Sequence, residues 1–160
     1  MKIKDSLRTG ISFGLTSAVI TTLGLMVGLH SGTGSRLAVL GGVLTIAIAD
    51  AFSDALGIHV SEESENVHTT GQVWAATLST LISKSGFALT FVLPILLLPL
   101  STAVIVSLVW GLLALTVLSY FMARTQGERP WKIIGEHVLI AVLVIAITHF
   151  VGRWIATLGT

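Results

Sequence analysis

The chain has 160 residues, 53% of them hydrophobic and only 11% charged, with a net charge of +1 and a mean hydropathy of +0.92. That balance excludes an ordinary soluble domain and argues against a nucleic-acid binder, since no basic run interleaved with aromatics occurs. Cysteine is absent, which removes disulfides, thiolate metal sites and cysteine nucleophiles.

A membrane span takes about 20 apolar residues. Runs of that kind, broken by charged or Gly/Pro-containing stretches, predict an all-α polytopic membrane protein of five spans, near 9–29, 37–60, 74–98, 102–123 and 133–158. They leave no room for a separate soluble domain. The segment that opens the chain carries Lys2, Lys4 and Arg8 before its apolar run, as a signal peptide would. The run is too long for a signal core and lacks a cleavage pattern, so it is expected to be retained as the first span.

On that first helix Gly10, Gly14, Ser17, Thr21, Gly24 and Gly28 share a sector of about 80°. Such a stripe of small residues lets another backbone come close, either within one chain or at a subunit interface or pathway. Met26 points away from the stripe and is expected to pack rather than to ligate.

The second span holds Asp50 and Asp54, spaced i, i+4 on one face, where two carboxylates can converge on one cation or share one proton. If the helix continues, Ser61, Glu65 and His68 fall near the same line, with Glu62 and Glu63 flanking it as an acidic entrance for cations. An ionised carboxylate at the bilayer centre costs about 2.5 to 3.5 kcal/mol even on the lenient insertion scale, so both aspartates must face a bundle interior or water.

Lys84 interrupts the third span at a depth resembling that of Asp50, and pairing between the two helices is expected. One ammonium against two carboxylates still leaves an acidic surplus. Pro94 and Pro99 crowd the end of this span. In the fourth span Trp110 is expected to pack mid-helix, whereas Trp74, Trp131 and Trp154 lie where interfacial anchors belong. Glu136 and His137 lie about one turn into the fifth span and are expected to reach back to the inner interface, and His149 and Arg153 lie near its outer end, where a headgroup contact is expected. His30 and His59, close to interfaces, are expected to be hydrogen-bonded bystanders.

Lys2, Lys4, Arg8, Arg124, Arg129 and Lys132 collect on one side and Arg36 and Arg153 on the other. The positive-inside rule then places the N-terminus in the cytoplasm and the C-terminus opposite.

Three segments carry a resemblance to the vacuolar iron transporter family: Phe13-Gly14-Leu15 through Thr21-Thr22-Leu23-Gly24-Leu25-Met26-Val27-Gly28, Ala51-Phe52-Ser53-Asp54-Ala55-Leu56-Gly57 through Ser61, and Thr148-His149-Phe150-Val151-Gly152-Arg153. The resemblance implies a homodimer of five-span subunits that moves ferrous or manganous ions out of the cytosol. The chain departs from that family where metal is bound: Ser17-Ala18 replace an Asp-Gly pair, Asp54 replaces a methionine, Ile58 replaces a glutamate, and the glutamate-rich domain between spans two and three is missing. Carboxylate in place of thioether hardens the ligand set toward manganese, magnesium, calcium or protons.

The reading is therefore a divalent-cation transporter of the Fe2+/Mn2+ kind in the lipid bilayer, with no permanent cofactor. Asp50, Asp54, Glu62 and Glu65 are its expected ligands, and Ser17, Thr21, Ser61, His68 and Lys84 its pathway or coupling residues. Two close carboxylates resist ionising together, which makes proton exchange on metal binding an expectation. The alternative is a non-transporting assembly subunit whose Asp and Lys residues only hold helix register. An enzymatic role is not expected, because no zinc-binding His-Glu spacing, serine elbow or phosphate loop is present.

Overall fold

The computed structural model describes residues 3–158; Lys2 lies outside them. Five helices are long and apolar enough to cross a membrane, consistent with an integral membrane protein: α1 (Ile3–Thr33), α2 (Arg36–Ser64), α3 (Thr70–Leu97), α4 (Leu100–Gln126) and α5 (Pro130–Leu158). Each is longer than its apolar run predicts, because polar flanks such as Ile3–Arg8 and Ser61–Ser64 continue the helical ladder. "Proximal" denotes here the end of the bundle holding the start of α1, and "distal" the end holding Thr33 and Leu158.

Short connections make neighbouring helices antiparallel, and their ends carry the expected stops. At the start of α2 the Ser35 hydroxyl accepts from the Ala38 amide, satisfying one unpaired donor of the first turn. The Thr69 amide donates to the Gln72 side chain at 2.8 Å, closing the first turn of α3. Past the end of α4, Gly127 takes a left-handed conformation (φ 73°) that lets the Glu128 amide reach the Ala123 carbonyl at 3.0 Å. Pro130 then starts α5, where its missing N–H costs nothing.

Two helices are irregular. In α2 the turn Ile46–Asp50 is π-helical and ends on the first aspartate. In α3 the ladder breaks at Phe91, since Pro94 has no amide to offer Thr90 and its ring crowds that carbonyl; the Phe91 amide turns back to Ala88 instead. Trp110 of α4 covers this break. It stacks on Phe87 with centroids 5.8 Å apart and donates its indole N–H to Thr90 at 3.1 Å, remaining partly exposed rather than packed mid-bundle.

Half of α1's apolar window is buried against 11% of α5's, so α1 is the central strut and α5 an outer one. Its side chains Val19, Leu23, Met26 and Val27 meet Val39, Val43, Phe91, Ile95, Val104, Leu115 and Ala141 in a single apolar core. Met26 is thus a packing residue. The small-residue stripe of α1 serves packing inside the chain on two sides. Gly10 and Gly14 lie against Ala76, Ser79, Thr80 and Ser83 of α3, and Gly24 and Gly28 lie against Val144 and Thr148 of α5. Helices that cross α1 meet one stripe in turn, α3 at the proximal half and α5 at the distal half.

Candidate functional site

The close approach at Gly10 and Gly14 sets the site. A Cβ at Gly14 would stand 2.7 Å from the Thr80 carbonyl, so glycine alone lets α3 lie this near. The Thr80 hydroxyl donates to the Gly10 carbonyl at 3.3 Å across the same seam. Lys84, one turn further along α3, consequently projects from a backbone already in contact with α1 and has no exposed surface at all.

Its ammonium lies 2.6 Å from Asp50 Oδ2 and 2.5 Å from Asp54 Oδ2, and it donates to Ser17 Oγ at 3.0 Å. Ser17 in turn donates to Asp54 Oδ2 at 2.6 Å. Three helices therefore meet at four side chains, with Ser17 from α1, Asp50 and Asp54 from α2 and Lys84 from α3. The Asp54 contact is a hydrogen-bonded ion pair; the Asp50 contact is an ion pair without hydrogen-bond alignment. The carboxylates are less enclosed than the ammonium: 36% of the Asp50 side chain and 21% of that of Asp54 are accessible, against none of Lys84. The accessible part of the Asp50 side chain excludes Oδ2, which is buried against the ammonium.

The π-turn ends at Asp50. Such turns widen a helix by one residue and recur at functional positions. Here it lies between the buried pair Val39 and Val43 and the second aspartate, Asp54.

Thr21 does not join the cluster; its hydroxyl donates to its own helix at Ser17 O, 2.8 Å away. The continuous track from Asp54 to His68 is also not formed. α2 stops at Ser64, Asn66 turns with positive φ, and Ser61 stays exposed at the proximal end. His68 folds back from the connection so that its Nε2 lies 3.0 Å from Glu65 and 3.5 Å from Glu62. Glu62 and Glu65 thus belong to a proximal cluster with His68, separate from the aspartates. Among the described residues no three His, Asp or Glu side chains converge as a metal-holding group. The four expected ligands are two pairs, one mid-bundle and one terminal.

The histidines join helices. His59 Nδ1 pairs with the Thr77 hydroxyl at 2.9 Å, His137 Nδ1 with Ser119 at 2.8 Å, His149 Nδ1 with Ser31 at 2.7 Å, and His30 Nε2 with Ser101 at 3.4 Å. His30 and His59 are hydrogen-bonded, as expected of histidines near the helix ends. His137 reaches α4 rather than the interface. Ser17, expected as a pathway or coupling residue, does join the aspartates and Lys84, although its direct bond to Asp54 was not foreseen. Compared with known protein families, with curated proteins and with solved structures, the chain matches none.

Proposed function

We propose that the chain is a transporter of a divalent cation of the Fe2+/Mn2+ type, in which Lys84 holds the place of the ion between Asp50 and Asp54 in the resting state. One observation carries this reading: a single ammonium sits against two partly accessible carboxylates, and their formal charges sum to −1. A divalent ion meeting the accessible parts of the two carboxylates competes with the ammonium for their negative charge. The flexible four-carbon stem of lysine allows the nitrogen to withdraw toward Ser17 as the ion arrives. Release of a proton from the displaced ammonium would couple metal binding to proton movement.

The resemblance to vacuolar iron transporters supports the same reading. Ser17 and Asp54, two of the positions at which the chain departs from that family, are hydrogen-bonded to each other at 2.6 Å. The departures therefore fall together in space and amount to one rebuilt site. Homodimerisation and export from the cytosol enter from the resemblance. The excess of Lys and Arg at the proximal end supports, by the positive-inside rule, reading that end as cytoplasmic. Glu62, Glu65 and His68 then lie at the cytoplasmic mouth, where negative charge concentrates cations.

Manganese uptake into proteoliposomes under an imposed pH gradient tests the proposal. Flux is expected from the parent protein and is expected to vanish in Asp54→Asn and Asp50→Asn, with each variant still eluting as folded protein. Undiminished flux in both variants overturns it.

A second reading is favoured by the complete burial of Lys84 and its three oxygen contacts, an arrangement that is saturated without any ligand. On this reading the cluster is a register lock in a membrane assembly subunit. Its signature is an absence of flux in the parent protein, together with a folded triple variant carrying Asp50→Asn, Asp54→Asn and Lys84→Met.

A further inference from the structure

All eight Asp and Glu residues of the chain lie at the proximal end or mid-bundle, and none lies at the distal end. The distal end nonetheless carries Arg36 and Arg153. Arg36 is occupied, since it donates to the carbonyls of Leu96 and Leu98 at 3.5 and 2.8 Å. Arg153 makes no hydrogen bond or ion pair among the described residues and lines a cavity of about 670 Å³ between α1, α4 and α5.

His149, one turn earlier on the same face, lines that cavity too, with His30 and Ser31 from α1. The Ser31 contact takes His149 Nδ1, leaving Nε2 for another partner. The remaining walls are apolar, with Val104, Leu108, Val142 and Ile145 among them, and the exposed Phe150 stands at the rim. The cavity therefore has a cationic, hydrogen-bonding mouth level with the anchor residue Trp154, and an apolar interior running toward the middle of the bundle.

We propose that this cavity binds one anionic phospholipid, its phosphate held by Arg153 and His149 and an acyl chain laid along the apolar wall. Arginine meets a phosphate through paired N–H bonds, and basic pockets between spanning helices suit such headgroups. Charge complementarity and the apolar wall both select the lipid over a free anion. The proposal is independent of which ion, if any, the Asp50–Asp54 pair carries.

The test is native mass spectrometry of the full chain in detergent, titrated with dioleoyl-phosphatidylglycerol or with dioleoyl-phosphatidylcholine. The anionic lipid is expected to bind about tenfold more tightly, the scale of one charge-assisted contact, and Arg153→Gln is expected to remove that preference. Ala146→Phe, which narrows the cavity and keeps its charge, should weaken both lipids, and it decides the matter alone if Arg153→Gln does not fold. Arg8→Gln, at the opposite end, should change nothing. Equal binding of the two lipids, indifference to Ala146→Phe, an equal loss in Arg8→Gln, or displacement of the lipid by millimolar inorganic phosphate would each overturn the proposal.

Discussion

Removing the Lys84 ammonium while Asp50 and Asp54 stay in place strands two carboxylates where three helices meet. Breaking a buried pair from one side costs about 3 to 5 kcal/mol, because the remaining charge keeps its desolvation penalty and loses its partner. Lys84→Met is therefore expected to lower the denaturation midpoint in detergent strongly, and adding Asp50→Asn and Asp54→Asn should restore most of it. A Lys84→Met protein as stable as its parent would mean that the carboxylates are solvated rather than held by the ammonium. The pairing was partly legible in the sequence: an i, i+4 pair of aspartates and a lysine at similar depth had few other partners in so apolar a chain. Ser17 was singled out as a pathway residue, but its bond to Asp54 was not legible, because that contact depends on where α2 crosses α1 and helical periodicity carries no such information. His68 was misplaced for a similar reason. Its angle on an extended α2 is irrelevant once the helix stops at Ser64 and the chain reverses.

At the scale of the element, glycines at helix crossings do different work from glycines that face open space. Gly14 faces the Thr80 carbonyl, a backbone atom that cannot swing aside, whereas a Cβ at Gly57 would meet nothing within 4 Å. Gly14→Ala should push α3 away from α1, cost about 1 to 3 kcal/mol as other overpacked contacts do, and loosen the seat of Lys84. Gly57→Ala should be neutral or stabilising by up to about 1 kcal/mol from helix propensity. Denaturation midpoints measured side by side check both, and equal effects would show that the α1–α3 seam is not close-packed. The sequence placed both glycines on helices but could not rank them, since only the identity of the opposing atom separates them. The π-turn at Ile46–Asp50 was equally hidden. A run of small and branched apolar residues reads as continuous helix, and nothing in it marks the wider turn.

For the whole molecule, five helices long and apolar enough to cross a membrane predict that the start of α1 and the end of α5 lie on opposite sides of the bilayer, and the absence of cysteine makes this directly measurable. Single cysteines at the exposed positions Glu63, Glu128, Thr33 and Leu158 can be probed with a membrane-impermeant maleimide in sealed vesicles without any background thiol. Glu63→Cys follows α2 and Glu128→Cys follows α4, so both should label from one side. Thr33→Cys at the end of α1 and Leu158→Cys at the end of α5 should label from the other. The least buried helix is the critical one. With 11% of its apolar window buried, α5 depends on lipid more than on its neighbours for its surroundings, and its crossing is the one that separates five spans from four. If Leu158→Cys labels together with Glu128→Cys, α5 does not traverse the bilayer. The Arg153 cavity would then lose its place at the distal interface, whereas the cluster of Ser17, Asp50, Asp54 and Lys84, built wholly from α1, α2 and α3, would stand unchanged.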